Sequence, residues 1–327
     1  MMNTLNTVMQ TSEHQSVPVK TSLVTLADSL AGLSGTVRFR TMLKLYGRAI
    51  LRSNLTYQWL HLLNSHHFYS DLVRARSRFI HKPYRPYIST LLNHDARVQV
   101  IQQHYAFMLG QGLHEIIRQA SREPVDLAYF TGKTGNTYGI HLCAIDPMER
   151  EGELVLQLSQ NQILIYSCAF TFFRENGCMH IYIGCIQGSR EENAVQLIRS
   201  STRDLYGIRP KNLLIKLVEQ LGVQFNCETL RLVANTHRVV RRSIKQGKVL
   251  SDYDALWSEI GASKRKDGDY ELICKKIVPP NLTLIQSKKR SEIKKRHDNM
   301  VFIVSAIKHH LTRLRKTAMV VLPNSID

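Results

Sequence analysis

Acidic side chains are scarce in this chain: 26 Asp and Glu stand against 44 Lys and Arg among 327 residues, a formal net charge of +18. Such an excess predicts attraction to polyanions, whether nucleic acid, anionic lipid or an acidic partner, without choosing among them. The six cysteines, Cys143, Cys168, Cys178, Cys185, Cys227 and Cys274, form no Cys-x-x-Cys pair. That argues against zinc and redox motifs, and they read as buried, reduced thiols. No stretch approaches roughly 18 apolar residues free of charge, so no transmembrane helix is expected. The start MMNTLNTVMQTSEHQSVPVK lacks a basic segment leading into an apolar core, so no secretory signal is expected and a cytoplasmic location is. Gly-x-Ser-x-Gly, a phosphate-binding P-loop and His-Glu-x-x-His are all missing, and serine hydrolase, P-loop ATPase and zincin readings fall away. His66-His67 and His309-His310 lack the i,i+4 spacing of a helical zinc site, and no metal is expected.

What is present is a folded composition, 43% hydrophobic and 21% charged. Residues 1–20 are polar and read as a flexible segment. From 21 to 121 the pattern is helical: Leu43, Tyr46, Ile50 and Leu51 repeat near 3.6, with Arg48 and Arg52 on the other side. NLTYQWLHLLNS and SDLVRARSRFI continue it, Pro83 and Pro86 break it, and HDARVQVIQQHYAFMLGQGLHEIIRQ predicts one long helix starting at Asn93 or Asp95. Past Pro124 the period becomes that of strands: DLAYF, TYGIHLCAI, GELVLQL, QILIYSCAFTFF and CMHIYIGCIQ. Asn176-Gly177 signals a two-residue hairpin, and Ser159-Gln160-Asn161 another turn. Two helices and the strand TLRLVAN follow. The fold class is therefore α+β, a helical N-terminal region (21–121) packed with a mainly antiparallel sheet in 122–317, and a tail at 318–327.

Two constellations carry candidate chemistry. Between Tyr206 and the next helix runs Gly207-Ile208-Arg209-Pro210-Lys211, where free N–H groups and the helix dipole favour an anion. The plain alternative is that Gly207 caps one helix and Pro210 opens the next. The second constellation is Asn235, His237, Arg238, Tyr253, Asp254 and Trp257. His237 or Tyr253 is the candidate base and Asp254 its orienting partner, against a structural reading in which Tyr253 and Trp257 share a buried face. His104 and Tyr105 either line a cleft or sit in the core. Lys288, Lys289, Arg290, Lys294, Lys295 and Arg296 then precede an apolar stripe at Met300, Ile303, Val304, Ile307 and Leu311, a pattern suited either to an anionic lipid surface or to a solvated helix start.

Several blocks together, LAYFTGKTGNTYGIHLC, REGELVLQL, IGCIQG, YGIRPKNLL, TLRLVANTHRV, DYDALWSEIGA and KKRSEIKKRH, resemble the VirK/YbjX family of enterobacterial proteins over roughly residues 90–310. ELICKKIVPP departs from the family pattern at a local turn. The resemblance implies a virulence accessory role: envelope integrity, surface localisation of an outer-membrane virulence factor and resistance to cationic antimicrobial peptides, with an envelope or membrane-associated protein as partner. It implies no agreed reaction and no known cofactor. The strand, loop and helix start is also similar to the way GNAT-type acyltransferases cradle coenzyme A, which makes the C-terminal half a GNAT-like candidate. Under that alternative acyl-coenzyme A is the cofactor, held by Gln187, Gly188, Arg203, Gly207, Arg209, Lys211 and Asn235. A third reading is nonspecific nucleic-acid binding; no sequence-specific reader is expected, since no zinc finger, RNP pattern or helix-turn-helix is present.

Overall fold

The computed structural model describes residues 23–191, 193–240, 244, 246 and 251–320, with side chains as far as residue 315. The flexible segment expected at 1–20 lies outside them, as do residues 321–327 of the expected tail.

The helical region comprises α1 (Gly35–Leu51), α2 (Ser53–Asn64), α3 (His67–Ala75), a 3-10 stretch Ser77–Tyr84, α4 (His94–Gly110) and α5 (His114–Ala120). Asn93 caps α4, accepting from Ala96 N at 2.9 Å. The single long helix expected over 94–119 is two, because the chain turns at Gln111-Gly112, where Leu113 N donates back to Met108 O at 3.0 Å. In α1 the apolar repeat faces outward: Leu43, Ile50 and Leu51 are exposed, while Leu45 and Ala49 enter the core.

Strands β1 (Val125–Thr131), β2 (Thr137–Ala144), β3 (Leu154–Gln160), β4 (Ile163–Glu175) and β5 (Cys178–Gly188) form the expected antiparallel meander. The β4–β5 hairpin turns at Asn176-Gly177, both at positive φ, as the dipeptide predicts. The β3–β4 turn falls at Asn161-Gln162, also at positive φ, so Ser159 and Gln160 belong to the strand instead. Then α6 (Ala194–Asp204) and α7 (Pro210–Gln224), with proline in its first turn, cross over to β6 (Thr229–Leu232), which lies parallel to β5. After α8 (Tyr253–Glu259) come β7 (Ser263–Lys264), β8 (Tyr270–Ile273) and the long helix α9 (Ser287–Val320). The strand order is β1-β2-β3-β4-β5-β6-β8-β7, an α+β architecture in which the only parallel pair among the described strands is β5–β6.

One apolar core runs from the helical region into the sheet and on to Leu311. Phe172 of β4 is its meeting point, 5.0 Å from the Phe107 ring on α4 and 5.5 Å from Phe225 just after α7. Fully burying such a side chain contributes about 1.5–3 kcal/mol. The stripe Met300, Ile303, Ile307 and Leu311 on α9 is buried in the same core.

A polar knot crosses the same boundary. Lys82 Nζ donates to Glu153 Oε1 at 2.7 Å, and Tyr105 OH to Oε2 at 2.5 Å, with both charged side chains almost wholly buried. Burial pushes the Glu153 carboxyl up, but Lys82, His104 and the hydrogen bonds from Lys82 and Tyr105 outweigh it and hold the group below the usual range. His104 is a core residue, accepting from Phe172 N at 3.2 Å.

Candidate functional site

Parallel pairing between β5 and β6 runs from His180↔Thr229 to Ile183↔Leu232, yet β5 continues to Gly188. The two strands therefore open at their carboxyl ends, the usual place for a ligand in a sheet with parallel strands. Here the gap is filled from within. Tyr253 OH accepts from Ile186 N at 2.7 Å and donates to Ile186 O at 2.8 Å, replacing the missing strand. Its ring is fully buried beneath the Arg238 guanidinium, 3.7 Å from the centroid. Burial pushes the phenol well above its ordinary range, so Tyr253 serves as a neutral hydrogen-bonding plug. Trp257 packs beside it, ring centroids 5.4 Å apart, and donates Nε1–H to Val233 O. Asn235 latches α8 in place: Nδ2 donates to Asp252, and Oδ1 accepts from Tyr253 N.

His237 lies just past the end of β6, and its partner is Asp269 rather than Asp254. Nδ1 is 2.8 Å from Asp269 Oδ1, whereas Asp254 accepts from the Asn235 backbone N–H at 2.9 Å. Asp269 is almost wholly buried and also accepts from Ala234 N at 2.8 Å and from Tyr182 OH. A carboxylate held by three donors fixes one imidazole face, while His237 keeps 19% of its side chain exposed. The contact fixes the orientation of the imidazole. Asp269 also lines a hollow of about 230 Å³, where Gln99, Arg231, Arg265 and Asp267 meet the apolar Leu91, Leu92 and Phe173. Arg231 there bridges Glu175, at 2.6 Å, and Glu271. Asp269 and Tyr182 escaped the sequence reading. The one local signal was the Asp267-Gly268 turn before β8.

At the Gly207 turn the expected anion is the protein's own. Arg209 Nη1 lies 2.7 Å from Glu259 Oε1 at the end of α8, and Lys211 Nζ lies 3.8 Å from Oε2. Gly207 has φ +77°, and Arg296 of α9 reaches over it to donate Nε–H to Tyr206 O at 2.7 Å. A side chain at 207 would meet both the left-handed backbone and that guanidinium. Arg203 is exposed on α6, and Gln187 turns its amide oxygen to Arg190 Nε at 2.9 Å in the orientation that satisfies both groups. Gly188 ends β5 against Tyr166. The seven residues expected to hold a carrier thus occupy several separate settings.

Beside that turn lies a cleft of about 430 Å³ between α7, α9 and the segment after β8. Its walls include Ile208, Ile215, Ile260, Ile277, Ile293 and Met300; Arg296 and His297 line it from α9, and Lys216 there pairs with Glu219 at 2.8 Å. The side-chain oxygen of Asn212, also in the wall, is shut from solvent and accepts no hydrogen bond. Lys288, Lys289, Arg290, Lys294 and Lys295 are exposed along the first turns of α9.

Asp126, His141 and Ser159 form a further chain across β1, β2 and β3. His141 Nδ1 is 2.6 Å from Asp126 Oδ1, and Nε2 is 2.7 Å from Ser159 Oγ. The pattern is that of an acyl-transfer triad, but β3 is paired on both sides, so the N–H groups around Ser159 serve the ladder rather than an oxyanion.

The fold class is an α+β sheet protein with a single parallel opening plugged by tyrosine, and among the described residues no helix is long and apolar enough to cross a membrane. A family model described as "Protein of unknown function (DUF535)" matches residues 35–308. The chain belongs to that family, which is the VirK/YbjX family the sequence blocks resemble. It is 25% identical over 256 residues to the uncharacterized protein YbjX of Escherichia coli K12, covering 77% of each chain. An uncharacterized protein of Haemophilus influenzae Rd is 30% identical over 154 residues, 47% of this chain and 50% of that one. A solved cAMP-binding acyltransferase from Mycobacterium smegmatis aligns with 65% of this chain and 66% of its own at 13% identity, with a TM-score of 0.28. That score is too low to bear on fold or activity.

Proposed function

We propose that this protein is an accessory factor of the bacterial envelope that acts by binding an acylated, anionic envelope component from the cytoplasmic side of the inner membrane. The observation that carries this is the apolar cleft of about 430 Å³ walled by α7 and α9, with cations at its wall and on the adjoining turns of α9. Its size is within the range of ordinary small-molecule sites. Apolar walls suit an acyl chain, and Arg296, with the exposed lysines on the first turns of α9, suits an anionic head. Family membership supports the biological side: surface localisation of an outer-membrane virulence factor and resistance to cationic peptides, both with an envelope-associated partner.

Calorimetric titration with myristate, 3-hydroxymyristate and inorganic phosphate tests the binding. Saturable uptake of the fatty acids, weakened in Arg296→Ala, is the expected result. No uptake by folded protein, or equal uptake of phosphate alone, removes the reading. A deletion strain with normal surface display and peptide resistance removes the biological part.

A second reading is favoured by the opening of β5 from β6 beside the His237–Asp269 pair: a diverged GNAT-like acyltransferase acting on an envelope component. Acyl-coenzyme A would have to displace Tyr253 from Ile186 and Glu259 from Arg209 and Lys211. Titration with acetyl- and long-chain acyl-coenzyme A decides it, with loss of binding in Arg209→Ala/Lys211→Ala as the positive outcome. Steep salt dependence with RNA or DNA, and indifference to lipid, would point instead to nonspecific nucleic-acid binding.

A further inference from the structure

Helix α1 presents its apolar repeat to solvent. Phe39, Leu43, Tyr46 and Ile50 are 62%, 64%, 38% and 75% exposed, while Leu45 and Ala49 on another face are 1% and 5% exposed and anchor the helix to the core. At about 100° per residue the four exposed side chains fall within about 60° of the helix circumference, one continuous strip. Arg40 and Lys44 are exposed on one flank of it, Arg48 is exposed on the face opposite, Arg38 is exposed toward the anchored side, and no acidic residue occurs between Gly35 and Leu51. A strip of large exposed side chains is uncommon on a protein that meets only water.

We propose that α1 is an interfacial helix that lays Phe39, Leu43, Tyr46 and Ile50 into the acyl boundary of an anionic membrane, with Arg40 and Lys44 on its flank toward the phosphate level. The charge selects this occupant. A second copy would bring the same cations face to face, since the net charge is +18, whereas an anionic bilayer accepts both the apolar strip and its basic flank. The tyrosine in the strip suits the boundary, with its ring in the apolar layer and its hydroxyl in water. The core-facing side of α1 already holds the helix in place, so docking needs no refolding. The inference stands apart from the cleft at α7 and α9, which concerns a single ligand molecule rather than a surface.

The test uses the whole chain with vesicles of phosphatidylcholine alone or mixed with phosphatidylglycerol. Sedimentation with the mixed vesicles only is expected, and Leu43→Ser/Ile50→Ser should weaken it at least about tenfold, because two apolar side chains no longer leave water. Both positions are exposed, so the melting temperature should hold. In a separate Phe39→Trp variant, brominated acyl chains should quench the added indole fluorescence. Unchanged vesicle binding in the double variant, or an added indole signal indifferent to bromine, overturns the proposal. Lipid-free dimerisation abolished by the double variant overturns it too, by making a second copy the occupant. Fatty-acid titration of the same double variant keeps the cleft reading separate: intact uptake there leaves it standing whatever α1 does.

Discussion

Asp269 holds His237 from 32 residues away, its Oδ1 lying 2.8 Å from the imidazole Nδ1. The same carboxylate takes the Ala234 N–H and the Tyr182 hydroxyl, so it ties β6, β8 and β5 together as well as orienting the imidazole. Burial, reinforced by Asp269, pushes the Tyr182 phenol well above its ordinary range, which keeps it a donor. Asp269→Ala strands those donors, and chemical denaturation should show a loss of about 3 kcal/mol. Asp269→Asn, which keeps one acceptor oxygen, should lose clearly less.

The Lys82–Glu153 pair should behave as buried pairs do. Lys82→Met leaves the Glu153 charge without its cation in an apolar setting and should cost about 3–5 kcal/mol. Adding Glu153→Gln should return a large part of that loss, because the uncompensated charge is gone. Equal instability of the single and double variants, measured by urea midpoint, would count against the electrostatic account.

Acid should weaken the fold through His104. Burial, with Lys82 adding to it and Glu153 opposing it, lowers this imidazole from 6.5 to about 4. Between those values the unfolded chain carries a proton that the folded chain refuses. Stability is therefore full above pH 6.5 and falls as the pH drops toward 4, by about 3 kcal/mol from this residue. Glu153, held low in the fold, adds to the loss further down. His104→Gln should flatten the dependence between pH 6.5 and 4 when urea midpoints are compared.

Arg209 and Lys211 contribute little to stability, since both pair with a partly exposed Glu259. Replacing both with Ala should change unfolding by about 1 kcal/mol or less. Gly207→Ala should cost more, about 1–2 kcal/mol, since position 207 needs positive φ and lies under Arg296. Thermal melts of the two variants side by side check the order.

What the sequence determined by itself was local. Asn93 as a helix cap, Asn176-Gly177 as a hairpin, Pro210 as a helix start and the buried stripe from Met300 to Leu311 each follow from the conformational preference of a few neighbouring residues. So does the antiparallel meander, whose strands are adjacent in the chain and joined by short turns. The two errors of boundary, at Gln111-Gly112 and at Asn161-Gln162, arose where several turn-forming residues sat together. Tertiary structure alone decided which carboxylate meets His237, which anion sits at Arg209 and Lys211, and which face of α1 looks outward. Asp254 is nearer His237 in sequence than Asp269, and periodicity marks an apolar face on a helix without saying what covers it. Those outcomes depend on groups brought together by the packing of distant strands and helices, and a pattern read along the chain carries no information about such distances.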